Sequence, residues 1–176
     1  MQYTMKAGVL YQGDSQIALA KIKSVLIGSQ KKIYKVTGEL LSETSIRYLD
    51  ESKASAGDVR NQEYILTDSE GRLLGCARPG YADGDSPEEM GWPICRMPKV
   101  DHASITAKDA DYSLIMDNSR SYSLRNGAGQ ELLRIVHKGI AGGWNLEDRQ
   151  GFPPEVLCGI FSFCRYLEQE NEFLIV

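Results

Sequence analysis

A chain of 176 residues that is 42% hydrophobic and 25% charged has enough apolar material for one ordinary domain with its own core, and this composition excludes disorder. A formal net charge of −4 excludes a sequence-independent nucleic-acid binder, whose affinity comes from neutralising phosphates with Lys and Arg. The same acidity leaves a local basic patch as the electrostatic route to an anionic lipid surface.

The first residues, Met1 to Lys6, show no charged region leading into an apolar stretch, so no signal peptide is expected. Ile17–Ile27 suits a helix capped by Asp14 or Ser15 and ending at Gly28, but its β-branched residues also suit a strand, and it is read as a strand. Lys32–Leu41 and Thr44–Leu49 read as paired strands. Glu51–Asn61 is polar and reads as a surface loop. Then come short segments rich in β-branched, aromatic and Leu residues: Glu63–Thr67, Arg72–Arg78, Ala103–Thr106, Tyr112–Met116, Tyr122–Arg125 and Gln130–His137. The acidic, Gly-rich stretch Tyr81–Gly91 interrupts them as a second loop. Short strands separated by Asp, Asn and Gly turns at this spacing are the pattern of an all-β sandwich or barrel.

Two of the hairpins share a pattern. Tyr64-x-Leu66-x-Asp68-x-x-Gly71-x-x-Leu74 returns as Tyr122-x-Leu124-x-Asn126-x-x-Gly129-x-x-Leu132. Period-2 spacing puts each Tyr and Leu on one face, and Asp or Asn followed by Gly closes the turn. Two hairpins obeying the same local rules and a true internal repeat both account for the match.

At Pro153-Pro154-Glu155 a helix starts, with Pro suited to the first turn and Glu to the positive end of the dipole. It is expected to run from Pro154 to about Glu170. Apolar residues from Val156 to Leu167 cover nearly its whole circumference, so it must be buried on all sides, and in a strand-rich domain only a closed sheet can do that. Glu168 and Glu170 sit at the negative end, which is expected to emerge into solvent. This apolar run is too short for a bilayer and contains Arg165, so no transmembrane segment is expected. Phe173–Val176 reads as a last strand, which either completes the sheet or pairs with another chain.

The two Tyr-x-Leu-x-Asp/Asn-x-x-Gly-x-x-Leu hairpins and the helix Val156–Leu167 make the chain resemble the tubby C-terminal-like superfamily. That group includes phospholipid scramblases, the LURP-one-related proteins and bacterial relatives. The resemblance implies a mainly β fold: one domain over residues 1–176, a closed antiparallel barrel of about twelve strands around a central hydrophobic C-terminal helix. Its apolar tail Phe173–Val176 departs from the pattern, since the helix usually ends such chains. Tubby-like domains bind phosphoinositides through basic surface residues, and no matching motif carries those residues over to this sequence.

No catalytic set is visible. Asp101 and His102 are neighbours, but adjacent strand residues point to opposite faces, so they are not expected to form a dyad. No Gly-x-Ser-x-Gly elbow, phosphate-binding loop or His-Glu-x-x-His occurs. Cys158 and Cys164 are expected as small hydrophobes of the helix, and Cys76 and Cys95 lack the spacing of a disulfide framework or zinc site. Whether Cys76, Cys95, His102 and His137 converge is open at this level. The acidic run Asp83–Glu89 reads as a solvated loop, not a calcium site, because Pro87 and its spacing spoil an EF-hand. No metal or cofactor is expected.

Lysines concentrate near the N-terminus at Lys21, Lys23, Lys31, Lys32 and Lys35, and Lys31, Lys32 and Lys35 form the candidate ligand-binding patch. The plainer account makes them solvated lysines that protect strand edges. The expected function is a non-enzymatic binding or scaffold domain, cytoplasmic and soluble, peripheral to a membrane where it contacts phospholipid headgroups, or else bound to a protein partner. The alternatives are a small-molecule-binding barrel or hydrolase-type enzyme, which a helix-filled interior disfavours, and a membrane-associated scramblase-like protein.

Overall fold

The computed structural model describes residues 1–22, 30–88, 98–107, 110–118 and 120–172. Twelve strands and one helix account for most of them: β1 (Gln2–Lys6), β2 (Val9–Gln12), β3 (Ser15–Ile22), β4 (Lys31–Lys35), β5 (Leu40–Tyr48), β6 (Gln62–Asp68), β7 (Leu73–Tyr81), β8 (Val100–Ala107), β9 (Ala110–Asn118), β10 (Ser121–Asn126), β11 (Glu131–His137), β12 (Trp144–Asp148) and α1 (Pro154–Glu172). Each strand pairs antiparallel with its sequence neighbours, and β1 closes the ring on β12, where Met5 lies opposite Trp144. The result is a closed antiparallel barrel with no free edge, the arrangement expected from the all-round apolar helix.

The helix fills that barrel. Leu157, Cys158, Ile160, Phe163, Cys164, Tyr166 and Leu167 are all buried, although they point in every direction around its axis. It packs against β3, β4, β5, β6, β8 and β9, and Phe161 reaches Trp144 of β12 edge-on at 5.7 Å between ring centroids. Gly159 permits the closest approach: a Cβ there would stand 2.7 Å from the Leu66 side chain on β6. Buried Ser162 returns its hydroxyl to the Cys158 carbonyl at 2.9 Å, so its burial leaves no orphan donor. Glu168 is ion-paired with Arg165, and Glu170 is half-buried, with its carboxyl held above its ordinary range by that burial. The helix end therefore emerges into solvent only in part.

A four-part ladder organises the wall. The Tyr64 and Tyr122 hairpins superpose in chemistry: Asp68 Oδ1 accepts from the Glu70 and Arg72 amides, and Asn126 Oδ1 from those of Ala128 and Gln130. Gly71 and Gly129 take φ near +80°, and both hairpins shift register just after Leu66 and Leu124. The same scheme appears twice more. Lys31-x-Ile33-x-Lys35-x-x-Gly38 shifts register after Ile33, and Trp144-x-Leu146-x-Asp148-x-x-Gly151 turns the chain into α1 with three amides on Asp148. The first position points inward each time, so the helix meets Lys31, Tyr64, Tyr122 and Trp144, and behind them Ile33, Leu66, Leu124 and Leu146.

Several expectations need correction. Lys32–Leu41 is not one strand: the chain turns at Thr37-Gly38, separating β4 from β5. Glu51–Asn61 is not an irregular loop but two 3-10 helices, Glu51–Ala56 and Val59–Asn61, capped by Asp50 and Asp58, with Val59 buried. The strand expected at Ile17–Ile27 exists as β3 up to Ile22. Its remainder, and the tail Phe173–Val176, lie outside the described residues. β1, β2 and β12 carry no strong strand signal of their own, yet they complete the ring.

Candidate functional site

The barrel has two mouths. At the proximal mouth, where α1 begins, the hairpin turns after β4, β6 and β10 close tightly. At the distal mouth, where α1 ends, lie the β5–β6 and β11–β12 connections, each with 3-10 helix among its residues. Charge gathers at the distal mouth.

Lys31 is the centre of that gathering. Ile33 is fully buried, and period-2 alternation carries Lys31 to the same inner face, where its residue is only 9% exposed. Its ammonium lies over the Tyr166 ring, 4.5 Å from the centroid. No carboxylate or hydrogen-bond acceptor partners it among the described residues. Burial, and secondarily the Arg165 guanidinium, push its pKa down to about 8. The Tyr166 hydroxyl is occupied with Thr44 at 2.8 Å, and burial raises its pKa to about 12, so it supplies no counter-charge.

An open cleft at the same mouth is lined by Arg120, His137, Trp144, Arg165 and Glu168. Arg165 stacks over Trp144 at 5.9 Å while ion-paired with Glu168. Arg120 forms no ion pair with any described residue. The His137 ring stands edge-on to Trp144 at 4.9 Å, and its Nδ1 accepts from the Gly139 amide at 3.0 Å, so the neutral ring keeps its proton on Nε2 as a donor. Cations, a ring donor and an aromatic face thus surround one opening, which suits an anionic group.

The three candidate lysines do not share a face. Lys32 points outward and lies 3.7 Å from Glu43, and Lys35 is exposed and paired with Glu39 at 2.8 Å. Neither joins Lys31 at the mouth. Lys23 and the side chain of Lys21 lie outside the described residues.

Asp101 and His102 do meet, against expectation: Asp101 Oδ1 is 2.9 Å from His102 Nδ1. The cause is a bulge. Gly80 pairs with His102 and Tyr81 with Val100, so Asp101 is the extra residue and leaves the alternation. The His102 ring lies flat against Gly80, where a Cβ would collide with it. His102 faces a cleft with Arg60, Tyr81 and Ser86, but the Tyr81 hydroxyl is already bound to Asp58 and the Val59 amide. Cys76 sits beside Glu63 on the outer wall, with its thiol pKa raised by burial and by that carboxylate. Cys95 and Trp92 lie outside the described residues. His102, His137 and Cys76 stand apart, and no group of metal-ligating side chains occurs among the described residues.

No helix among the described residues is long and apolar enough to cross a membrane. No protein family, curated protein or solved structure matches this chain.

Proposed function

We propose that the chain is a non-enzymatic binding domain of tubby-like architecture, cytoplasmic and peripheral to the membrane, that contacts phospholipid headgroups at its distal mouth. Lys31 carries this reading. A buried ammonium with no counter-ion among the described residues, beside a second cation, is an arrangement that costs folding free energy and that an incoming anion relieves. Arg120, Arg165 and the Nε2–H of His137 line a cleft at the same mouth. The net charge of −4 makes the attraction local, to a mouth where Lys31, Arg120 and Arg165 outnumber Glu168. The helix occupies the interior, which directs recognition outward to this mouth.

Sedimentation with phosphatidylcholine vesicles, with and without phosphatidylserine, tests the reading. Binding is expected only to the anionic vesicles, weakening with added salt. Lys31→Met and Arg165→Gln are expected to reduce it by roughly tenfold each, at about the 1.4 kcal/mol that a charge-assisted contact contributes. Lys32→Glu, which alters an outward residue away from the mouth, is expected to change it little. Undiminished binding by Lys31→Met, or no salt-sensitive binding by the parent protein, would overturn the reading.

A further inference from the structure

The proximal mouth holds the opposite kind of feature, and the wall ladder explains why. Tyr64 and Tyr122 press on the middle of α1, but two residues further on the wall presents only Leu66 and Leu124. Across from them, β7 and β8 offer Gly75 and Ala107, which are already so close that a Cβ on Gly75 would stand 3.1 Å from that of Ala107. Side-chain volume therefore falls just where the helix begins. What remains is a cleft of about 150 Å³ that opens to solvent beside the edge-on pair Tyr112–Phe152.

Carbon lines it almost throughout, with Phe163 at its inner end and Val156 at the helix side. Among the described residues the one carboxylate on its rim is Glu155, in the first turn of α1. Glu155 forms no ion pair with any described residue. Water in such a space finds too few polar partners to be held well, so an apolar group displaces it with a gain. An apolar cavity of roughly this volume accommodates a benzene ring.

We propose that this cleft is a binding site for a small molecule with a benzene-sized apolar body and a cationic head, the body between Leu66, Leu124 and Phe163 and the head at Glu155. Size and lining select the body. Glu155, the one charged side chain lining it among the described residues, selects the sign of the head. The site is independent of headgroup contact at the distal mouth, and either can exist without the other.

Benzylamine, toluene and phenylacetate are suitable probes, read by methyl NMR of the intact chain. Benzylamine is expected to shift the methyl resonances of Leu66, Leu124 and Val156 saturably, and phenylacetate to bind more weakly. Glu155→Gln is expected to weaken benzylamine by about 3-fold, the size of a partly exposed ion pair, while leaving toluene unchanged. Ala107→Leu and Val156→Phe each fill the cleft and are expected to weaken toluene and benzylamine by roughly tenfold or more. Either filling variant suffices if the other fails to fold. Absence of saturable shifts, shifts centred away from these methyls, equal binding of benzylamine and phenylacetate, or unchanged binding in a folded filling variant would overturn the proposal.

Discussion

The proximal and distal mouths are cut from the same strands, yet one is carbon-lined and closed by tight turns while the other is charged and carries the longer connections. The ladder of β4, β6, β10 and β12 accounts for the contrast. Each of these strands runs from the distal to the proximal mouth and places a large side chain first, an aliphatic one second and a turn residue third. In β6, β10 and β12 the first side chain is aromatic. In β4 it is Lys31. The difference teaches that one substitution in a repeated scheme is enough to turn a packing position into a candidate site: the position that holds an aromatic ring elsewhere here holds an ammonium with no counter-ion among the described residues.

The contrast can be broken most severely at the helix. Phe163→Asp places a carboxylate between the Tyr64 and Tyr166 rings, 5.9 and 6.4 Å from the phenyl centroid, and is expected to cost about 4 kcal/mol or more. Loss of soluble protein and of a cooperative thermal transition would show it, and a well-folded variant would refute an enclosed helix. Next in size is Leu124→Ala, which enlarges the proximal cleft from a fully enclosed position and is expected to cost about 3 kcal/mol by chemical denaturation.

At the distal mouth the sign reverses. Lys31→Met keeps the stem that packs in the wall and removes the charge, so stability at neutral pH is expected to rise by about 2 kcal/mol while anion binding falls. The pH dependence sharpens this. The folded chain lowers the Lys31 pKa from 10.5 to about 8. Between those values the unfolded chain binds more protons than the folded one, so stability attributable to Lys31 rises with pH across the window, by up to about 3 kcal/mol. In Lys31→Met that rise should vanish from denaturation curves taken between these pH values. The smallest effect is expected at the turns: Asp68→Ala and Asn126→Ala each remove two side-chain bonds to backbone amides on an exposed hairpin. Each should lower the thermal midpoint only slightly, Asp68→Ala the more because it also loses the Arg72 ion pair.

Much of the architecture was legible because it depends on patterns that no partner overrides. An apolar surface all round α1 has one explanation, and Asp68 and Asn126 announce their turns by side-chain chemistry. β4 and β5 were joined in reading because Lys35 opens their turn where Asp or Asn stands elsewhere, and β-branched Val36 and Thr37 hide it. β1, β2 and β12 are short and take their stability from closing the ring, which is a property of the assembled sheet and not of a segment. The site was half legible. Composition drew attention to Lys31, Lys32 and Lys35, but their directions follow from the inward register of Ile33. The Asp101–His102 contact needed a bulge, a pairing irregularity with no local signature. Arg120, His137 and Arg165 were unreadable as a group because β10, β11 and α1 bring them together only in three dimensions; the one available hint was a charged residue in an otherwise apolar helix.

Ring closure has a consequence for how the chain reaches this state. β1 has β12 as one of its two neighbours, so the first strand keeps an open side until nearly the whole sequence has been made. The helix that fills the ring follows β12 and must be in place as the seam between β1 and β12 shuts. Assembly therefore depends on contacts between distant parts of the chain, which slows folding and ties every strand to the last step. An incomplete chain would present two raw sheet edges and an unfilled apolar trough, the surfaces that chaperones hold and that aggregates grow from.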